Sequence, residues 1–311
     1  MMAIETFHTL IARNKRNSWL LVALFLLFFA GLGLLIGYVW GGDARGGAAV
    51  AVMAGAAAFL LTLASYYGGG SVLLGLSRAR EIRKADDPQL FNVVEELCLA
   101  GGLPMPKIYL IDDSAMNAFA AGRNPHHAAV AITTGLRTRL ARDELQGVIA
   151  HELSHVRHYD ILFATLIAVM VGVLVMLCDV FLRSLWWGAP RRRSRGRDRN
   201  AGPAVAILLI VALVLAIISP ILARIIQMAI SRQREYLADA GSVELTRNPE
   251  GLAGALAKLA GDPEVLEVAN RATAPLYIVH PIKKFEERSA SIFDTHPPIR
   301  DRIARLMSLT T

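Results

Sequence analysis

Two histidines and a glutamate stand close together in the pattern H-E-x-x-H, which residues 151–155 form. The surrounding sequence, RDELQGVIAHELSHVRHYD, has the apolar spacing of a helix, on which residues four apart share one face. The imidazoles of His151 and His155 are therefore expected to face one metal ion, with Glu152 within reach of a water molecule at that ion. This spacing predicts a zinc site at which Glu152 is the general base of a hydrolytic reaction.

Catalytic zinc commonly takes three protein ligands, so a third ligand must come from elsewhere in the chain. His158 is the nearest candidate, but it lies about 10.5 Å from His151 along a helix axis. That is too far for zinc–nitrogen bonds of about 2.0–2.1 Å, and we assign His158 to the membrane surface instead. Glu235 begins an E-x-x-x-D pair with Asp239 on a second predicted helix. We predict Glu235 as the third ligand and Asp239 as the residue that orients a ligand histidine.

The composition is that of a membrane protein. The 311-residue chain is 54% hydrophobic and 19% charged, with a mean hydropathy of +0.43, which is too apolar for an ordinary soluble protein. Stretches long enough to cross a bilayer lie at about 18–40, 48–67 (or on to 76), 161–182 and 204–223. We attribute the net charge of +7 to the basic flanks of these segments, and we expect no nucleic-acid partner. The two cysteines form no C-x-x-C pair, so no cysteine zinc site is expected.

Basic residues decide the predicted orientation in the membrane. They flank the first two apolar segments at Arg13, Lys15, Arg16, Arg78, Arg80, Arg83 and Lys84. The positive-inside rule therefore places the N-terminus and residues 77–160 in the cytoplasm. The arginine-rich sequence PRRRSRGRDRN, between the third and fourth segments, contradicts this rule if both segments cross fully. Two topologies stay open for residues 161–223, a full crossing, which we favour, and a shallow re-entrant hairpin.

The predicted fold is mainly α and integral to the membrane, with four apolar helical segments. Its soluble part is expected to be a cytoplasmic α+β zincin-like domain, built on the H-E-x-x-H helix and a second E-x-x-x-D helix. Residues 1–76 and 161–223 are predicted to form membrane hairpins, and residues 77–160 and 224–311 to form the two parts of a protease domain. Within 77–160 we expect a helix from Asp86 or Asp87, strands at KIYLIDD and AVAITTGL, and an edge strand with a turn at NAFAAGRNPHH.

Four motifs in order resemble the HtpX-type heat-shock membrane zinc metalloproteases and, more distantly, the CAAX prenyl proteases. They are NAFAAG (117–122), HELSH (151–155), REYLADA (234–240) and THPP (295–298), and the resemblance covers essentially the whole chain. It implies a zinc-dependent endopeptidase of the bacterial inner membrane, which acts in stress response and quality control on polypeptides of membrane proteins. It also implies one zinc ion per chain, held by His151, His155 and Glu235, with Glu152 as catalytic base.

Other residues are predicted to contact the substrate. His296 is the expected donor to the oxyanion, and the resemblance supports this role. The edge strand is expected to bind substrate backbone by strand addition through Asn117, Ala118, Phe119 and Ala120, with Asn117 holding a substrate carbonyl. A histidine at a helix entry and an ordinary edge strand are the plain alternatives for these two predictions.

Three other functions are compatible with a membrane protein of this length. An intramembrane-cleaving zinc protease is disfavoured because charged residues flank the motif, namely Arg142, Asp143, Glu144, Arg157 and Asp160. A non-catalytic scaffold or holdase has no need of Glu152. A channel or transporter would carry ionisable residues along its spans, and these spans have almost none.

Overall fold

The computed structural model describes residues 7–41, 43–170, 172–173, 232–264, 266, 276–278 and 297–309, and this part of the chain is mostly helical with one small sheet. Its helices are α1 (Phe7–Gly41), α2 (Ala44–Leu76), α3 (Pro88–Gly101), α4 (Thr134–Arg139), α5 (Arg142–Arg157), α6 (Asp160–Met170), α7 (Arg232–Thr246), α8 (Pro249–Ala260) and α9 (Ile299–Met307). The strands are β1 (Arg80–Glu81), β2 (Lys107–Ile111), β3 (Ala118–Gly122) and β4 (Ala128–Thr133). A 3₁₀ turn at Pro125–His127 precedes β4.

Helices α1 and α2 form an antiparallel hairpin. The apolar stretches Ile11–Tyr38 and Ala44–Leu76 have mean hydropathies of 2.8 and 2.1 and are long enough to cross a bilayer. Most of their side chains face outward, as expected for contact with lipid. The helices approach closely at Gly37, where a Cβ atom would lie 2.6 Å from the carbonyl oxygen of Gly46. These two helices account for the first two predicted spans.

The third predicted span begins as α6 (Asp160–Met170). Nearly all the rest of that span, the arginine-rich segment and the fourth span lie outside the described residues.

The sheet has the strand order β1-β2-β4-β3. Strand β2 is parallel to β4, with Lys107 opposite Ala129, whereas β3 is antiparallel to β4, with Ala118 opposite Ile132. The predicted strands are confirmed, with one correction. The sequence AVAITTGL does not stay extended to its end, because the Thr133 side chain accepts a hydrogen bond from the Leu136 amide (3.2 Å) and thereby caps α4.

The two faces of the sheet pack against different parts of the molecule. One face contacts α3 and α5, and its core contains Ala118, Ala120, Val130, Ile132, Leu145, Ile149 and Leu153. The other face contacts the end of α2 and α6, and its core contains Leu73, Leu74, Phe119, Ala121, Ala129, Ala131 and Ala168. This alternation follows from the two-residue period of a strand. The sheet thus lies between the H-E-x-x-H helix and the membrane hairpin.

Helix α5 is enclosed by α3, β3, α7 and α8. The hydroxyl of Ser242 in α7 donates a hydrogen bond to the carbonyl of Gly147 (2.8 Å). On another side of α5, a Cβ atom at Gly147 would lie only 2.5 Å from the backbone nitrogen of Leu252 in α8. The position of α5 therefore depends on a glycine at residue 147, four residues before His151.

We expect Gly147→Ala to lower the free energy of unfolding by about 1–3 kcal/mol, because the added methyl group meets the backbone of α8. The measurement is the thermal midpoint of the purified full-length protein in detergent. Gly254→Ala is the matched control, since its Cβ would meet only the flexible Glu144 side chain, at 3.3 Å. Equal midpoints for the two variants would show that the close contact does not constrain α5.

Candidate metal centre

His151 and His155 lie one turn apart on α5, and Glu235 of α7 faces them. The two Nε2 atoms are 3.2 Å apart. Oxygens of Glu235 lie 3.7 Å from Nε2 of His151 and 3.6 Å from Nε2 of His155. Ligands bound to tetrahedral zinc at about 2.0–2.1 Å are about 3.3–3.4 Å from one another. One ligand atom from each of the three residues lies within 4.8 Å of the other two, so the three groups converge as the sequence predicts, although less closely than ligands do around bound zinc.

The other nitrogen of each imidazole faces a carboxylate. Nδ1 of His151 is 3.0 Å from Oδ1 of Asp239, and Nδ1 of His155 is 3.1 Å from Oδ2 of Asp160. A carboxylate at this position accepts the Nδ1–H and leaves the Nε2 lone pair directed at the metal position. The structure thus places Asp239 where the sequence predicted an orienting residue, and it adds Asp160 in the same role.

The buried charges around the two imidazoles are not balanced while both imidazoles are neutral. Four carboxylates, Glu152, Asp160, Glu235 and Asp239, lie near two guanidinium groups, those of Arg234 and Arg302. With neutral histidines, four negative and two positive charges leave a formal charge of −2. In that neutral state the lone pairs of the two Nε2 atoms face each other and repel unless a proton or a cation lies between them. This donor set therefore fits a divalent cation.

The pKa of His155 reflects the same excess of negative charge. Burial lowers the pKa of this imidazole, but the hydrogen bond to Asp160 and the charges of Glu235, Asp160 and Glu152 outweigh burial and raise the value to about 9. His151 behaves differently, because its burial outweighs the hydrogen bond to Asp239 and lowers its pKa. The same carboxylates that favour a proton on His155 would also favour a metal ion beside this imidazole.

Glu152 lies beside the metal donors but is not one of the three groups that converge. Its carboxylate accepts a hydrogen bond from the Ala120 backbone amide, which points out from the edge of β3. Burial raises the pKa of Glu152 to about 7, and the nearby His155 and Arg302 limit this rise. A carboxylate with such a pKa is suited to take up and release a proton near neutral pH.

Arg302 of α9 is a residue of the site that the sequence did not reveal. Its side chain is fully buried, and Nε and Nη2 donate to the two oxygens of Asp239 at 3.0 and 2.6 Å. Nη1 donates to the Ile278 carbonyl (3.3 Å) and lies 3.5 Å from Glu235. This bidentate pair fixes Asp239 and thereby His151. The contact joins residues far apart in the chain, and no local pattern around Arg302 predicts it.

Asp160 is also held from the membrane hairpin. The Asn14 amide of α1 donates to Oδ1 of Asp160 (2.6 Å) and to the backbone carbonyl of His158 (2.9 Å). The other carboxylate oxygen of Asp160 faces His155. A sequence signal for Asp160 did exist, since an acid directly after the predicted metal-binding helix is well placed to accept from a ligand imidazole. Nothing in the sequence indicated Asn14.

The structure corrects the position predicted for His158. This residue ends α5 and is 3% exposed, so it is buried in the protein and does not lie at the membrane surface. Its Nδ1 lies 3.4 Å from the Ser154 hydroxyl. His158 is buried because Asn14 and the start of α6 cover the end of α5. As the axial distance predicts, His158 is not one of the converging metal donors.

The predicted substrate strand is an edge strand of the described sheet and passes next to Glu152. Part of its edge is already paired, since the Ala118 carbonyl accepts from the Ile278 amide (3.0 Å). The side-chain oxygen of Asn117 accepts from the Ala118 amide (3.1 Å). Phe119 points to the opposite face of the sheet, where its ring packs edge-on against Tyr277. His296, the predicted oxyanion donor, lies outside the described residues.

Comparison with known proteins identifies the family. Residues 84–310 match the family described as Peptidase family M48. The chain belongs to peptidase family M48. A relative named Protease HtpX homolog, from Lactiplantibacillus plantarum, is 43% identical over 300 residues, which are 96% of this chain and 98% of that protein. The Protease HtpX homolog of Streptococcus uberis is 40% identical over 296 residues, which are 95% of this chain and 97% of that one.

Among solved structures, the S. mikatae Ste24p aligns with a TM-score of 0.49 and 18% identity, over 96% of this chain and 66% of that one. The relatives in family M48 confirm the resemblance to the HtpX-type proteases. The protein is therefore a metallopeptidase and, with its two apolar helices, membrane-bound. M48 peptidases are zinc-dependent, and the donor set formed by His151, His155 and Glu235 fits that metal.

We expect Asp160→Ala and Asp239→Ala each to weaken zinc affinity by about 10–100-fold, because each change removes the acceptor that orients one imidazole. The measurement is a zinc competition titration of the purified protein against a chelator of known affinity. Asp112→Ala is the matched control, since this aspartate is exposed and lies outside the metal donor set. An unchanged zinc affinity in Asp160→Ala would show that His155 is oriented without Asp160.

Proposed function

We propose that this M48 peptidase is a zinc-dependent endopeptidase that cleaves misfolded or damaged membrane proteins at the cytoplasmic face of the bacterial inner membrane. One observation carries the proposal. Two imidazoles and a carboxylate, whose ligand atoms lie within 4.8 Å of one another, converge beside Glu152, a buried carboxylate that is not among them. In this proposal His151, His155 and Glu235 hold one zinc ion per chain.

Glu152 is the proton-transfer group in the proposed reaction. Zinc bound at this site supplies Lewis acidity, which polarises the scissile carbonyl and makes water more acidic. Glu152 takes a proton from the attacking water and delivers it to the leaving amine. The Ala120 amide holds this carboxylate at the edge of β3, where the substrate is expected.

Substrate binding is proposed to use the same strand edge. An extended polypeptide that adds to β3 would run past Ala120 and so bring a peptide bond next to Glu152. Because Ile278 already pairs with the Ala118 carbonyl and the Gly122 amide donates to the Thr165 hydroxyl (3.1 Å), Ala120 between them is the proposed contact for substrate backbone. We assign Asn117 to hold a substrate carbonyl, while the side chains of Ala118 and Phe119 serve the core of the sheet.

His296 is proposed as the donor to the oxyanion. It directly precedes Pro297, Pro298 and helix α9 in the sequence. Arg302 on α9 is tied to Asp239 at the candidate metal centre. This anchor supports a position of His296 near the reacting carbonyl, where an imidazole N–H would stabilise negative charge on oxygen.

The cytoplasmic placement rests on charge and on Asn14. Basic residues stand at the start of α1 and just after α2, so one end of the hairpin is strongly positive. The positive-inside rule assigns this end to the cytoplasm. Asn14 at the same end contacts Asp160, which supports a metal centre close to the bilayer surface. We propose residues 77–160 and 224–311 as the two parts of one protease domain, with hairpins at 1–76 and 161–223. In this proposal the substrates are misfolded membrane proteins that expose polypeptide at the cytoplasmic surface of the bilayer.

Two alternatives fit the structure less well. A site inside the hydrocarbon is disfavoured because the start of α5 carries an exposed ion pair between Arg142 and Glu96 (2.7 Å). A scaffold without catalysis does not account for Glu152, a buried acid whose desolvation raises its pKa and so makes the folded state less stable.

We expect Glu152→Gln to retain zinc and to lower peptide cleavage by at least about 10²–10⁴-fold, because the amide cannot take the proton from water. The measurement pairs the zinc content of the purified variant with its cleavage of an unfolded membrane-protein substrate. Glu96→Gln is the matched control, since this exposed glutamate lies outside the metal centre. A zinc-loaded Glu152→Gln variant with near-normal turnover would refute the assigned base.

A further inference from the structure

A cavity of about 320 Å³ lies outside the metal centre, between α1, the end of α2, the β3–β4 turn and α6. Its lining combines two kinds of surface. Lys15 and Arg123 supply positive charge, whereas Val22, Leu162 and Leu166 supply apolar walls. Cavities of this size accommodate small ligands or part of a larger one. The mixture of cationic and apolar surface indicates an amphipathic ligand with a negative group.

The two cations rest on aromatic rings. Nζ of Lys15 lies 4.2 Å from the ring centre of Tyr159, and the guanidinium of Arg123 lies 5.1 Å from the ring centre of Tyr67. Neither cation forms an ion pair with a carboxylate among the described residues, and no acidic residue lines this cavity. Aromatic rings hold a cation in place without neutralising its charge. The positive charge at this end of the cavity therefore stays available to an anion.

The cavity opens where the membrane surface is expected. Lys15 and Trp19 lie near the beginning of the first apolar stretch, Ile11–Tyr38. Trp19 is 70% exposed, and Tyr67, nine residues before the end of α2, is 65% exposed. Exposed tryptophan and tyrosine at the ends of membrane helices mark the level of lipid head groups. Val22 lies one turn of α1 beyond Trp19, towards the hydrocarbon, so the apolar wall lies on the side where acyl chains begin.

We propose that this cavity binds an anionic phospholipid. Its phosphate contacts Lys15 and Arg123, and the first part of an acyl chain lies against Val22, Leu162 and Leu166. Free phosphate would use the cations but leave the apolar wall without a partner, and a zwitterionic lipid would add a second cation next to two others. The proposal does not depend on the catalytic function. The cavity nevertheless adjoins the candidate metal centre, because Tyr159 in its wall directly precedes Asp160, which faces His155.

The test is a binding titration with the purified full-length protein in neutral detergent. The probes are phosphatidylglycerol, phosphatidylcholine and inorganic phosphate. The test variant is Lys15→Gln/Arg123→Gln. The matched control is Arg16→Gln/Arg83→Gln, which removes the same charge from two exposed residues outside the cavity. Leu162→Trp is a second test variant, because it fills the apolar side without changing any charge.

We expect saturable binding of one phosphatidylglycerol per chain and much weaker binding of phosphatidylcholine. Loss of two charged contacts should weaken phosphatidylglycerol binding by about tenfold or more in Lys15→Gln/Arg123→Gln. The control pair should bind as the wild type does, and Leu162→Trp should also bind less lipid.

Several results would overturn the proposal. Equal losses in the test pair and the control pair would mean that only overall charge attracts the lipid. Equal binding of both lipids would exclude recognition of an anionic head group. Displacement of the lipid by inorganic phosphate at similar concentration, together with an unchanged Leu162→Trp variant, would assign the cavity to a free anion.

Discussion

The excess of buried negative charge around His151 and His155 is the interaction on which the rest of the structure depends. Two imidazoles with Nε2 atoms 3.2 Å apart lie among four carboxylates and two guanidinium groups, and this excess of negative charge favours either a proton on His155 or a metal cation between the imidazoles. Different elements supply the pieces. Helix α5 carries the histidines, α7 carries Glu235 and Asp239, and the start of α6 carries Asp160. Arg302 of α9 offsets part of the charge. The residues of the proposed metal position thus come from several helices, and no single helix supplies them all.

The same arrangement connects the metal centre to the membrane. The sheet packs with one face on α5 and the other on α2 and α6, so the centre and the hairpin share a common support. Asn14 adds a direct link, because one side chain of α1 holds Asp160, and Asp160 orients His155. A shift of α1 relative to α5 would therefore change the position of His155, a proposed metal ligand. These contacts explain why the candidate metal centre, which lies outside the apolar stretches, is packed against the membrane hairpin.

The local parts of this structure could be predicted from the sequence, and the long-range parts could not. The spacing of His151 and His155, and of Glu235 and Asp239, follows from the helical period, and the exclusion of His158 follows from axial distance. The end of β4 was misplaced because a threonine cap competes with an extended chain. Asn14 and Arg302 reach the centre through contacts between distant segments, which no local pattern encodes. The burial of His158 has the same origin, since α1 covers it.

The central claim is that two imidazoles and one carboxylate hold a single zinc ion. X-ray absorption at the zinc edge tests it most directly, on full-length protein loaded with one zinc per chain. The account predicts a nitrogen and oxygen shell at about 2.0–2.2 Å, multiple scattering from two imidazoles, and no sulfur at about 2.3 Å. Glu235→Ala should lose this bound zinc or show a changed shell, while His158→Ala should give the wild-type spectrum. Scattering from three imidazoles in the wild type, with one of them lost in His158→Ala, would contradict the account.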